Sequence, residues 1–344
     1  MNNAPLKAAV IGCGFFARNH LLGWNDIEDV TVAAVCDRDR AKAEAAAALF
    51  AKRPAIYTDA AQMLAAEPLD FLDVVTTMET HRELMALAAK HKLPAICQKP
   101  FAPEIETARA IVATAREAGT PIMVHENFRF QAPLLGLKAA IDEGAVGKPF
   151  FAHIEFRTGY DIIAGQPYLA EVERFIILDL GIHVLDVARF LMGEAERLYC
   201  RTNQIMPNIK GEDAAFMVLD HEAGSVSHVR CSYTTRVHPD PFPETLVTVE
   251  GDKGTLRLTP GYRLELHTRQ GMTVRDVPPT PPAWADPAWA LLQESVVNTQ
   301  RHWVRSLRSG RPADTSGEDN LRTFALVEAA YESAASGQPV EPRA

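Results

Sequence analysis

The chain has 344 residues, enough for two domains, and a composition of 47% hydrophobic and 23% charged residues typical of a globular protein with a large core. A formal net charge of −9 and the lack of a basic tract argue against nucleic acid as a partner. No apolar run is long enough to span a bilayer, the opening MNNAPLKAAVIG has no secretory pattern, and five cysteines without a CxxC pair read as free thiols in a reducing cytoplasm.

In chain order, 6–11 (LKAAVI) reads as a short buried strand, 17–24 as a helix, 30–36 (VTVAAVC) as a second strand and the Ala-rich 39–50 as a helix. The alternation continues with a strand at 71–76, a helix at 81–91, a strand at 95–97, a helix at 103–118 and a strand at 121–125. This spacing predicts βαβ units and a doubly wound parallel sheet. After a helix at 134–143 the pattern changes. Strand-like stretches follow at 150–157, 198–203, 214–220, 225–233, 246–250, 255–259 and 263–268, with Gly and Asp between them as in EGDKGT and HEAGS. They predict a mostly antiparallel sheet, interrupted by one helix at 180–191. A Pro-rich connection at 277–287 and helices at 288–308 and 318–335 close the chain, with Ser316 and Asp319 at the N-cap of the last.

Gly12-Cys13-Gly14-Phe15-Phe16-Ala17 follows the first strand and opens a helix. In this GxGxxA pattern the first glycine makes a tight turn and the second admits a pyrophosphate close to the backbone. The small third residue lets helix and strand pack closely. The helix N-terminus then faces the phosphates. A plain strand–helix turn is the competing reading. Asp37 follows the second strand, 20 residues after Ala17. An acid there can hydrogen-bond the ribose hydroxyls of NAD and repel a 2′-phosphate; as an alternative it caps the next helix. Arg38 and Arg40 are the residues that could favour NADP. NAD is the expected cofactor, and the expected fold is α/β: a Rossmann domain over 1–125 and a C-terminal α+β domain over 126–344 with a large, open, mostly antiparallel sheet.

Two further signals carry chemistry. In LDLGIHVLDVARFLMG (178–193), Asp179 and His183 are four apart and share a helix face. A histidine beside a carboxylate is a ready general base, although a lone His on an apolar helix also fits a core position. Asp186 with Arg189 reads as a helix ion pair. Lys99, in AICQKPFA, lies just past the end of a short strand, where ligands of a doubly wound sheet sit. Its ammonium can stabilise an alcohol losing its proton; a surface lysine is the alternative.

With these residues in view the chain resembles the Gfo/Idh/MocA oxidoreductases over nearly its whole length. The matching segments are AVIGCGFFARNHLLGW, VVTTMETHRELMALAAKHKLPAICQKPFA, LDLGIHVLDVARFLMG and SGEDNLRTFALVEAAYESAASGQPV. The resemblance implies hydride transfer between a nicotinamide and a sugar or polyol, with Lys99, Asp179 and His183 as the catalytic set. It implies cofactor contacts at Thr76, Thr77, His81 and Asn127, and Gln98 and Pro100 flanking the nicotinamide after a cis Lys99–Pro100 bond. Arg129 is implied near the substrate, and Arg157 is a further substrate candidate from the second domain. GCGFFARNH with CQKPFA is most similar to the subgroup that oxidises D-apiose. The sequence departs from the family at Gln98, where Glu is usual, and at Met78 and Glu79. A homo-oligomer, dimer or tetramer, is implied and no metal site is expected. An inositol or polyol dehydrogenase and a non-catalytic NAD- and sugar-binding sensor are the other readings; the intact Lys, Asp and His set weighs against the sensor.

Overall fold

The computed structural model describes residues 4–344; Met1–Asn3, part of the opening read as lacking a leader, lie outside them. The chain forms two compact units. The first runs to Asn127 and takes back Pro282–Trp284 and Gln293–Leu321; the second holds Phe128–Pro281, Ala285–Leu292 and Arg322–Ala344.

The first unit carries strands β1 (Leu6–Ile11), β2 (Val30–Cys36), β3 (Ala55–Tyr57), β4 (Phe71–Val74), β5 (Ala95–Gln98) and β6 (Ile122–His125). Helices α1 (Ala17–Asn25), α2 (Arg40–Ala47), α3 (Ala60–Ala66), α4 (His81–Lys90) and α5 (Ile105–Ala118) connect them. All pairings are parallel, in the order β3-β2-β1-β4-β5-β6. The order reverses between β1 and β4, which opens a ligand crevice at their carboxyl ends. β1, β4, β5 and β6 are almost continuously buried, as both faces of a covered parallel sheet require. The sequence reading overlooked β3 and α3. Each is short, and β3 is only partly buried, so neither leaves a period to detect.

The second unit begins with α6 (Ala132–Asp142), β7 (Pro149–Arg157) and the short α7 (Ile162–Gly165). A π-helical turn, Ile177–Gly181, leads into α8 (Ile182–Met192). Then come β8 (Ala195–Asn203), β9 (Ala214–His221), β10 (Val226–Ser232), β11 (Leu246–Gly251), β12 (Gly254–Thr259), β13 (Arg263–Thr268) and β14 (Gly271–Asp276). The sheet order is β14-β13-β12-β11-β7-β10-β9-β8, antiparallel except for β7 beside β10. Helix α8 packs on β7 and β10. Ala152, Ile154 and Phe156 of β7 are buried, while Phe151, His153, Glu155 and Arg157 alternate onto the more open face. Two long helices, α9 (Ala290–Ser309) and α10 (Gly317–Ser336), end the chain. The Asp319 N–H donates to Ser316 Oγ at 3.2 Å, which caps α10 as expected.

Candidate active site

The glycine turn is built for a close approach. Gly12 has φ +96°, and an added Cβ would collide with the Val75 carbonyl and Thr76 Cγ2 at the end of β4. Only glycine fits there. At Gly14 an added Cβ meets nothing within 4 Å, so one side of the turn stands open. Ala17 is buried under the start of α1, and Phe15 is exposed. No side chain caps α1 and no acid sits in its first turn, so its N–H groups and positive end are left for an anion. Asp37 Oδ2 accepts the Cys13 N–H at 2.8 Å and Oδ1 accepts the Asp39 N–H at 2.8 Å. These bonds aim the carboxylate from the end of β2 at the glycine turn. The cap of α2 is Asp39, whose side chain accepts from Ala41 N, so Asp37 is released from that alternative. Arg40 pairs with Glu44 at 2.9 Å on the exposed face of α2, and Arg38 is exposed. An open glycine turn, an uncapped helix start and an aimed carboxylate fit a dinucleotide with free ribose hydroxyls. Cys13 takes no nucleophilic part: burial first, then the Asp37 charge, pushes its thiol up to about 12.

The loops after β4 and β5 hold the next group. Thr76 is half-buried and Thr77 exposed; Thr80 Oγ1 donates to Thr76 Oγ1 at 2.7 Å. His81 is fully buried, with Nε2 3.1 Å from the Thr76 carbonyl and Nδ1 3.1 Å from that of Phe101. Its edges are therefore turned to the protein. Lys99 is half-buried, its bond to Pro100 is cis, and its backbone N–H donates to Gln98 Oε1 at 2.7 Å. Gln98 thus sets the backbone that presents the ammonium. Asn127 is buried and donates from Nδ2 to Ser295 Oγ at 2.6 Å.

In the second unit the π-turn carries Asp179, where the sequence reading drew a regular helix. Wide turns of this kind recur at functional sites. Asp179 Oδ2 accepts the Tyr233 hydroxyl at 3.1 Å, and Tyr233 stacks on Phe175. Burial, then the Asp179 charge, raises the Tyr233 phenol well above its ordinary value, so it stays a donor. The turn is anchored by Glu212, which accepts the Ile177 N–H at 3.1 Å and the Tyr331 hydroxyl at 2.8 Å. The His183 ring stacks on Phe128, 4.0 Å between centroids and 3° from parallel, and Phe128 in turn meets Phe156. Sequence reasoning missed Tyr233, Phe128 and Glu212. The one available signal was Phe128 itself, an aromatic next to Arg129 in HENFRF (125–130).

Arg129 and Arg157, the two arginines expected near the substrate, each have a carboxylate partner. Arg129 is 6% exposed and forks onto Asp186, Nε to Oδ2 at 2.6 Å and Nη2 to Oδ1 at 2.5 Å. Thr323 Oγ1 also donates to Asp186 Oδ1, at 2.8 Å. Arg129 therefore supports α8 from beneath, and it replaces Arg189 as the main partner of Asp186; Arg189 Nη1 stands 3.8 Å away. Arg157 shares its face of β7 with Glu155, to which Nη2 donates at 2.8 Å. Phe156, the neighbour packed toward Phe128, lies on the opposite face, so the pleat turns Arg157 away from the His183 side. Burial alone would raise the Glu155 carboxyl, but its hydrogen bonds to His153 and Arg157 outweigh that and hold it at about 2.

A doubly wound sheet with a glycine turn at its switch point and an acid at the end of β2 defines a dinucleotide-binding protein. Residues 6–126 match the model of an oxidoreductase family with an NAD-binding Rossmann fold, and residues 134–257 match the GFO/IDH/MocA C-terminal domain. The chain belongs to the Gfo/Idh/MocA oxidoreductase family, as an NAD-binding member. It is 50% identical over 341 residues to a D-apiose dehydrogenase of Rhizobium rhizogenes, covering 99% of both chains. It is 51% identical over 335 residues to one from Paraburkholderia graminis, covering 97% of this chain and 89% of the relative. It superimposes with a TM-score of 0.96, at 50% identity and 98% coverage of both chains, on an oxidoreductase from Agrobacterium radiobacter in complex with NAD+, L-tartaric acid and magnesium. Among the described residues of this chain, no group of three or more His, Cys, Asp or Glu is placed to hold a metal ion, and no helix is long and apolar enough to cross a membrane.

Proposed function

We propose that the chain oxidises an aldose, D-apiose foremost, at the anomeric carbon with NAD, giving a lactone that hydrolyses to the acid. The observation that carries this is half-identity over essentially the whole chain to two D-apiose dehydrogenases, with Lys99, Asp179 and His183 all present. Gly12, Gly14 and the start of α1 hold the pyrophosphate, Asp37 the adenosine ribose, and Thr76 and Thr77 border the nicotinamide half. NAD, when bound, supplies the hydride acceptor. His183 takes the proton of the reacting hydroxyl as general base. Lys99 stabilises the oxygen as negative charge develops on it. Asp179, whose Oδ2 accepts the Tyr233 hydroxyl, orients the base. The stack on Phe128 fixes the plane of the imidazole, which limits the directions from which it can accept a proton.

The test is a panel of aldoses, inositols and polyols, each offered with NAD and NADP side by side and followed at 340 nm. D-apiose with NAD is expected to give the largest kcat/KM. A polyol giving the highest value would overturn the substrate reading, and a preference for NADP would remove the role given to Asp37.

We also propose that the protein is a homo-oligomer that works in the cytoplasm. The open face of the second unit's sheet supports the first point: Val218, Met272 and Val274 are exposed there, around the His153, Glu155 and Arg157 cluster. The five cysteines, all free, support the second. Sedimentation equilibrium is expected to give two or four chain masses; a monomer at micromolar concentration excludes the assembly.

A further inference from the structure

We propose that His81 is a positioning residue whose imidazole braces the loop carrying Lys99 against the loop that follows β4. The proposal rests on the reading of Lys99 as the group that meets the reacting oxygen.

β4 and β5 are neighbouring parallel strands, paired as far as Val74 with Cys97. Beyond that pair the sheet hydrogen bonds stop, and two loops run on without a ladder between them. His81 bridges them. Its ring is fully buried and stands 3.1 Å from the Thr76 carbonyl on one side and 3.1 Å from the Phe101 carbonyl on the other. Phe101 is two residues past Lys99 and is itself fully buried. Lys99 is thus held from both ends: its N–H by Gln98 Oε1, and the chain after it by His81.

The β4 loop is the firmer of the two. Thr80 Oγ1 ties Thr76 Oγ1 at 2.7 Å and the Thr77 carbonyl at 2.9 Å, and Val75 and Thr76 stand against Gly12. One line of contacts therefore runs from the glycine turn through Thr76 and His81 to the Lys99 loop. Burial lowers the ring's affinity for a second proton, against opposing contributions from the carbonyls of Phe101 and Thr76. A neutral ring has one N–H to donate. Each ring nitrogen faces a carbonyl at hydrogen-bond distance, and a side chain with no donor removes the bridge between the two loops. With both nitrogens turned to the backbone, His81 is not a nucleotide contact; such contacts fall to Thr76 and Thr77.

A displacement of about 1 Å at a reacting group can cost on the order of 10²-fold in rate. The experiment compares His81→Phe, His81→Gln and Lys99→Met with the wild type, using the sugar that the wild type turns over. The expected result for His81→Phe is a kcat lower by roughly 10- to 100-fold, with NAD affinity little changed and partial recovery in His81→Gln, which restores a donor. Loss of NAD affinity in step with kcat would overturn the proposal and return His81 to the cofactor site. If Lys99→Met keeps full turnover, the reading of Lys99 falls. If Lys99→Met is inactive and His81→Phe keeps its kcat, only the brace falls. Amide hydrogen exchange decides independently of turnover and of the fate of His81→Phe. In His81→Gln the Lys99 N–H is expected to exchange faster while those of β1 do not, and in the wild type a protected His81 ring N–H is expected to persist when NAD is added. A ring N–H that loses protection on NAD addition, or an unchanged Lys99 N–H, overturns it.

Discussion

Lys99→Met is expected to lower kcat by about 10²-fold or more, with NAD affinity within a few-fold of the wild type. The physical basis is local. Lys99 leaves the carboxyl end of β5, at the edge of the sheet where doubly wound folds bind their ligands. Its neighbours Cys97 and Phe101 are fully buried, and Gln98 Oε1 holds its backbone N–H. Methionine keeps most of the apolar stem and removes the ammonium with its charge and its N–H donors. The groups assigned to the pyrophosphate and ribose, Gly12, Gly14, the start of α1 and Asp37, lie on other loops and stay intact. Arginine is not expected to rescue, because a planar fork cannot take the place of a compact ammonium. His183→Ala is expected to fall by a similar factor through loss of the general base. Steady-state kinetics with a parallel NAD titration by fluorescence check both; a Lys99→Met enzyme with near-full turnover would falsify the assignment.

Asp73→Ala is expected to destabilise the first unit by about 2–5 kcal/mol, because two buried ring nitrogens lose their acceptor at about 1–3 kcal/mol each. Asp73 is fully buried in the middle of β4, between β1 and β5. Its Oδ2 accepts the Trp24 Nε1–H at 2.6 Å and lies 2.8 Å from His20 Nδ1. Both partners are on α1, the helix that begins at the glycine turn, and the Gln300 amide of α9 donates to the His20 carbonyl at 2.9 Å. The substitution leaves two buried ring nitrogens facing a methyl group. The melting temperature is expected to drop by roughly 10 °C, and Asp73→Asn by less, since its amide oxygen still accepts from Trp24. Thermal melts followed by circular dichroism test this; a shift under 2 °C for Asp73→Ala would mean that water or a rearranged side chain satisfies His20 and Trp24.

Asp73 also shows where sequence reading stops. In FLDVVT it is one acid inside an apolar run, and nothing nearby explains it. β14 was missed for a different reason: all six of its residues are exposed, so no inward and outward alternation exists to be read. The π-turn at Ile177–Gly181 escaped because its residues are apolar and suit an ordinary helix. Arg129 is implied near the substrate by the resemblance, and Arg157 is a candidate from the second domain. The structure gives each a carboxylate partner that the sequence does not show.

The sequence by itself determined the parallel alternation of the first unit, the glycine turn, the acid after β2 and the positions of Lys99, Asp179 and His183. These are local patterns, written in spacings of a few residues, and local sterics and the burial period enforce them. Only the tertiary structure decided the partners of Asp179 and His183 and of the buried acids around them: Tyr233 on Asp179, 54 residues away; Phe128 stacked on His183; Arg129 on Asp186, 57 away; and, in the first unit, His20 on Asp73, 53 away. Such pairs have no period. Packing selects them when distant elements share one buried place, and the need to satisfy each buried polar group then picks the partner.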